Sequence, residues 1–172
     1  MLYFLDTEFN EFGGELISLA LVNEGGDREL YVATDCAEPR EWVKQNVLPI
    51  IHCPGAHANV IPPDQFGLAI AFFLQNDELP TIVADWPDDV RYFCEALITG
   101  PGEMVSIPFL QFQIIRVDAY PTNLRGAIQH NALWDARALR HVFKAALSRT
   151  ARRAGQSRKG SRSQTRLKRN KR

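Results

Sequence analysis

An α/β fold with a central mixed five-stranded sheet flanked by helices, three antiparallel strands first and then two parallel βα units, is predicted by three stretches. The chain opens on an apolar run, Met1 to Leu5, that stops on two carboxylates one residue apart, Asp6 and Glu8. Two further apolar segments follow behind paired glycines, as hairpin strands do. Later, Leu79 to Asp85 repeats the opening pattern and runs straight into a helical one.

Continuous apolar runs rich in aromatic and β-branched residues suit strands covered on both faces, so MLYFLDTEF is read as the central strand. Side chains two apart on a strand leave on the same side, so Asp6 and Glu8 project together near its carboxyl end, where open α/β sheets bind ligands. Two acids that close repel, and a divalent cation removes the conflict. Taken alone, D-x-E after an apolar run also reads as an acidic turn.

Gly13-Gly14 turns the chain into a second strand, Leu16 to Val22, and Gly25-Gly26 into a third, Glu29 to Ala33. Pro39 to Val47 reads as a short helix with Trp42, Val43 and Val47 on its apolar face, ended or bent by Pro49. Ile51 to Pro63 is broken by four residues, Pro54, Gly55, Pro62 and Pro63; its His52, Cys53 and His57 lack a fourth zinc ligand and read as loop residues. Pro63 to Gln75 carries Phe66, Ala69, Ile70 and Phe73 at helical spacing, a core stripe.

In the strand-to-helix stretch, Pro87 sits at a first helical position, with Asp88 and Asp89 read as surface acids facing the helix dipole and Val90, Phe93, Cys94 and Leu97 as the apolar face. A right-handed crossover brings Asp85 to the same sheet end as Asp6 and Glu8; Asp85 also reads as a plain helix cap. Phe112 to Ala119 is the last expected strand, and Tyr120 to Gln129 an irregular connection. The longest helical pattern runs from Asn131 to Leu147, with Asn131 as N-cap. Residues five apart inside one helix point apart, but with His130 outside the helix both it and Asp135 can face one site.

One domain, residues 1–148, accounts for the apolar content. All 20 acidic residues precede Ser148 with only nine basic ones, a formal charge of −11, while Arg149 to Arg172 hold eleven basic residues and no acid. The segment has almost no apolar content, reads as a disordered basic arm, and is suited to phosphate, with a solubilising tail as the plain alternative. Three cysteines, Cys36, Cys53 and Cys94, form no C-x-x-C pair, pointing to a reducing cytoplasm. Met1 leads into the strand with no basic leader, and no apolar run approaches the roughly 18 residues of a membrane span.

Taken together, LDTEF, VADWPDD and HNALWDARAL resemble, over Met1 to Leu147, the DEDDh subgroup of the DEDD 3′-5′ exonuclease superfamily, with H-x4-D at His130 and Asp135 as the most specific motif. Its small stand-alone bacterial exoribonucleases are the most similar members. The resemblance implies a ribonuclease H-like fold, hydrolysis from the 3′ end of RNA more than DNA, two Mg2+ or Mn2+ ions, and a homodimer. It implies Asp6, Glu8, Asp85 and Asp135 as metal ligands and His130 as the general base, a role its ordinary pKa near 6.5 suits. Two ions roughly 3.5 to 4 Å apart cover the attacking and leaving oxygens of such a hydrolysis. Thr7, Phe9 and Trp86, beside the acids, are candidate substrate contacts, the rings by stacking on a base; Phe9 equally reads as core.

Two other readings compete. An aspartyl-phosphate enzyme also begins with a strand ending in D-x-[DE], but it needs a placed lysine, and before the basic arm the chain has only Lys44 and Lys144, neither after a strand. A catalytically inactive nucleic-acid-binding module using the basic arm is the other, against which the complete acid and histidine set argues.

Overall fold

The computed structural model describes residues 1–116 and 124–148. The basic segment 149–172 and the end of the expected last strand, 117–119, lie outside the described residues. The chain divides into two compact units, Met1–Arg140 and His141–Arg172.

In chain order the first unit contains β1 (Leu2–Phe9), β2 (Leu16–Asn23), β3 (Glu29–Ala33), α1 (Glu41–Asn46), β4 (His52–Cys53), β5 (Ala56–His57) and β6 (Asn59–Val60). There follow α2 (Phe66–Leu74), β7 (Thr81–Ala84), α3 (Pro87–Ala96), β8 (Ile98–Gly100), β9 (Glu103–Met104) and β10 (Gln111–Ile114). The last helix, α4, starts at residue 132. In the second unit residues 141–148 are helical, with the Ser148 hydroxyl donating to the Lys144 carbonyl at 2.9 Å.

Among the described residues the main sheet is mixed and six-stranded, in the order β10-β7-β1-β2-β3-β6. β1, β2 and β3 form the expected antiparallel meander, and β7 and β10 add in parallel on the other side of β1. The sixth strand is a departure from the expected five. Asn59–Val60, inside the stretch read as irregular, pairs in parallel with Val32 and Ala33, while β4 and β5 form a separate two-residue hairpin that sets His52 opposite His57. Two residues between proline breakers carry too little pattern to read as a strand.

Strand alternation sorts the core. On β1 and β2, Tyr3, Leu5, Leu19 and Leu21 face α2 and α3, joining Phe66, Ile70, Leu74 and Phe93. Ala20 and Val22 face the other way, against Ala132, Leu133 and Ala136 of α4. Because Asp6 pairs with Ala20 and Thr7 with Leu19, Asp6 and Glu8 share the α4 face and Thr7 the α3 face. α1 packs separately, through Val43 and Val47 onto Ile17, Ala33 and Ile51.

Two helix faces differ from expectation. In α1, Trp42 is 47% exposed rather than core. In α3, Cys94 is exposed, and the buried residues are Asp89, Tyr92 and Phe93. Among the described residues no helix is long and apolar enough to cross a membrane.

Candidate functional site

β1 carries Asp6 and Glu8 to its carboxyl end, and a register shift between Glu8 and Phe9 ends the regular pairing with β2. Because β7 runs parallel to β1, with Phe4 opposite Val83, the residue after β7, Asp85, leaves the sheet at that same end. Trp86 then stands in extended conformation and Pro87 opens α3, where its missing N–H costs the helix nothing.

Asp89, the third residue of α3, turns back onto the sheet. Its Oδ1 accepts from the Thr7 backbone N–H at 3.1 Å and the Thr7 hydroxyl at 2.7 Å, past the last β1–β7 pair. Charge-assisted bonds of this kind are among the stronger ones, and they pin the start of α3 to the carboxyl-terminal end of β1. Asp89 is only 3% exposed. The sequence pattern predicts a surface acid here, and the structure places it inside.

The third arm of the site is the start of α4. Asn131 caps the helix, its Oδ1 accepting from the Trp134 N–H at 3.1 Å, while its amide donates to the Ile50 carbonyl at 2.7 Å and the Tyr31 hydroxyl at 3.0 Å. The cap is therefore tied to the sheet and to the segment after α1. His130 stands just outside the helix at φ +65°, a left-handed conformation uncommon for a residue with a side chain. Its N–H donates to Asp135 Oδ2 at 2.9 Å.

These three arms bring two sets of groups together. Ligand atoms of Glu8, His130 and Asp135 lie within 4.8 Å of one another, and so do those of Asp6, Asp85 and Asp89. The five residues singled out in the sequence thus converge, and Asp89 joins them. The signal for Asp89 was present: Asp89, Tyr92, Phe93 and Ala96 fall at helical spacing, and the buried stripe of α3 is one position off the one read from Val90 and Cys94.

So many carboxylates in one partly desolvated place cannot all ionise cheaply. Burial first, then the charges of Asp89, Asp135, Glu8 and Asp85, push the Asp6 pKa well up. Glu8 is raised well by burial and by Asp135 and Asp89. Asp89 is pushed up to about 7 by burial, against the lowering hydrogen bonds from Thr7, and burial raises Asp85. Burial also lowers the pKa of His130, favouring the neutral imidazole.

The groups line a cavity of roughly 490 Å3 whose walls include Phe9, Glu11, Trp42, Trp86, Gln129 and Leu139. Phe9 stacks on Tyr92 at 4.7 Å between ring centroids and still borders the cavity. Trp86 is 59% exposed, its indole N–H donating to Asp88 at 3.2 Å. Thr7, expected as a substrate contact, borders the cavity but is buried, with its N–H and hydroxyl both donating to Asp89. The His52, Cys53 and His57 group lies away from this lining, its two imidazoles stacked 6.3 Å apart.

No protein-family model matches the chain, and comparison with curated proteins finds no significant match.

Proposed function

We propose that the protein is a metal-dependent 3′-5′ exonuclease of the DEDDh type, on a ribonuclease H-like fold, acting on RNA in preference to DNA. The observation that carries this reading is the convergence of Asp6, Glu8, Asp85, Asp89 and Asp135 with His130 at the carboxyl end of parallel strands.

The residues fit divalent cations. Asp6 Oδ2 and Asp89 Oδ2 are buried side-chain oxygens without a hydrogen-bond partner among the described residues, a costly state unless a cation takes them. An all-oxygen set suits Mg2+ or Mn2+. Asp6, Glu8, Asp89 and Asp135 would hold two such ions, with Asp85 beside Asp6 and Asp89. When bound, the ions supply charge neutralisation at a phosphodiester and activate water.

The chain's own residues supply the rest. His130, kept neutral by burial, is able to accept a proton from attacking water beside Glu8 and Asp135. Trp86 and Phe9 offer ring faces to the terminal base, for which stacking contributes about 1–3 kcal/mol per base. The basic segment 149–172 supplies attraction for phosphate that the acidic remainder of the chain lacks. Three cysteines without a disulfide fit a cytoplasmic enzyme.

The test is a 5′-labelled single-stranded RNA incubated with Mg2+ or Mn2+, with and without chelator. The expected result is a ladder shortening from the 3′ end with metal alone, lost in Asp6→Ala. Binding of RNA without shortening leaves the inactive binding module instead, and degradation that survives chelator rejects the metal-dependent mechanism.

A further inference from the structure

His130 is unlike the other members of the site. The carboxylates stand on or directly beside regular elements, whereas His130 sits in the connection before α4 at φ +65°. Its N–H bond to Asp135 fixes the backbone but leaves the imidazole free to rotate about its own side-chain bonds. Among the described residues no hydrogen bond orients that ring.

Trp42 does. Its ring meets the imidazole edge to face, with centroids 4.9 Å apart and planes at 83°, the geometry aromatic pairs prefer. Trp42 is itself held by two tethers. Val43, the next residue of α1, and Val47, just past its end, are fully buried against Ile17 and Ala33. At the entrance to α1, the Arg40 N–H donates to Asn10 Oδ1 at 2.8 Å and the Asn10 amide to the Glu38 carbonyl at 3.1 Å. Asn10 directly follows β1. The position of Trp42 is therefore referred to the strand that bears Glu8, and through Trp42 the imidazole is referred to it as well.

We propose that Trp42 is a positioning residue that holds the His130 imidazole in the orientation from which it accepts the proton. This rests on the exonuclease reading. Stacking a substrate base is the competing use of an exposed tryptophan, and it has a different kinetic signature: a stacking contact acts on KM, whereas an orienting one acts on kcat. A misplaced reacting group can cost on the order of 100-fold in rate.

The experiment has two independent readouts. In the metal-free protein, Trp42→Ala is expected to shift the His130 ring-proton resonances, because the tryptophan ring current is lost, and Trp42→Phe to shift them less. In steady-state hydrolysis of RNA with Mn2+, Trp42→Ala is expected to lower kcat by about 10- to 100-fold with KM within about twofold, and Trp42→Phe to restore most of it. In a His130→Ala background, adding Trp42→Ala is expected to cost nothing further. A raised KM at unchanged kcat makes Trp42 a substrate contact and overturns the proposal, as does a full additional loss in the His130→Ala background. An unshifted His130 resonance overturns it whether or not the protein is a nuclease. Absence of hydrolysis by the unaltered protein, with the resonance shift present, rejects the exonuclease reading alone.

Discussion

Asp85 and Asp89 lie four residues apart on either side of Trp86 and Pro87, and their substitution separates two kinds of acid. Asp89 is buried, anchored by Thr7, and has an oxygen left over; Asp85 is half-buried and makes no such bonds to β1. Asp89→Asn keeps the acceptor for Thr7 but removes the charge. It is expected to abolish metal-stimulated hydrolysis and, in the metal-free protein, to raise the unfolding midpoint by relieving repulsion. A gain of about 1 kcal/mol corresponds to roughly 2–4 °C for a chain of this length. Asp85→Asn is expected to weaken Mn2+ binding by about 10- to 100-fold with activity recovered at high metal. Calorimetric Mn2+ titration and thermal unfolding of both variants check this; equal loss of metal binding in the two would erase the distinction. In the sequence, VADWPDD offered three acids of which Asp85, ending the strand, was the conspicuous one. Periodicity gives a helix face only to within a residue or so over a ten-residue element, and that margin decides between Asp89 inside and Asp89 outside.

The elements that deliver the site differ in how plainly they were written. β1, β2, β3 and β7 were readable because each is a continuous apolar run between breakers, and α4 because Leu133, Ala136 and Leu139 recur at helical spacing behind Asn131. α1 is only six residues long, too short for a stripe to separate Trp42, which is 47% exposed, from the buried Val43 beside it. β6 exists through its pairing with β3 rather than through its own residues. The cap of α4 joins readable sequence to unreadable contact: Asn131 announces a helix start, but its amide bonds to Ile50 and Tyr31 span the chain. Asn131→Ala removes the cap and takes the amide donor away from the buried Tyr31 hydroxyl and the half-buried Ile50 carbonyl. The expected cost is about 2 kcal/mol, measured as a lower urea midpoint. Because His130 and Asp135 lean on that helix start, activity at a fixed low temperature is expected to fall as well. A variant as stable as the parent contradicts the role assigned to the cap.

Over the whole molecule, the charge cluster links stability to pH. Asp6, Glu8, Asp85 and Asp89 all have folded pKa values above those of free carboxylates, so the folded state holds more protons than the unfolded one between about pH 4 and the value of about 7 for Asp89. Stability from these groups is full below that window and is lost as pH rises through it. His130, lowered by burial, works the other way below about pH 6.5, one group against four. The metal-free protein is therefore expected to unfold at a lower temperature at pH 8 than at pH 5, and saturating Mn2+ to raise the midpoint more at pH 8, since ions replace protons among the carboxylates. A metal-free midpoint that rises from pH 5 to pH 8 contradicts the linkage. The same topology orders events during synthesis. β1, β2 and β3 are neighbours in sequence and in space, whereas β7 reaches β1 across some eighty residues, and His130 and Asp135 come later still. Asp85 and Asp89 enter with β7 and α3, but the growing polypeptide lacks His130 and Asp135 until the start of α4 has been made. The general base proposed for the site is therefore among the last of its groups to be synthesised, after four of the five carboxylates.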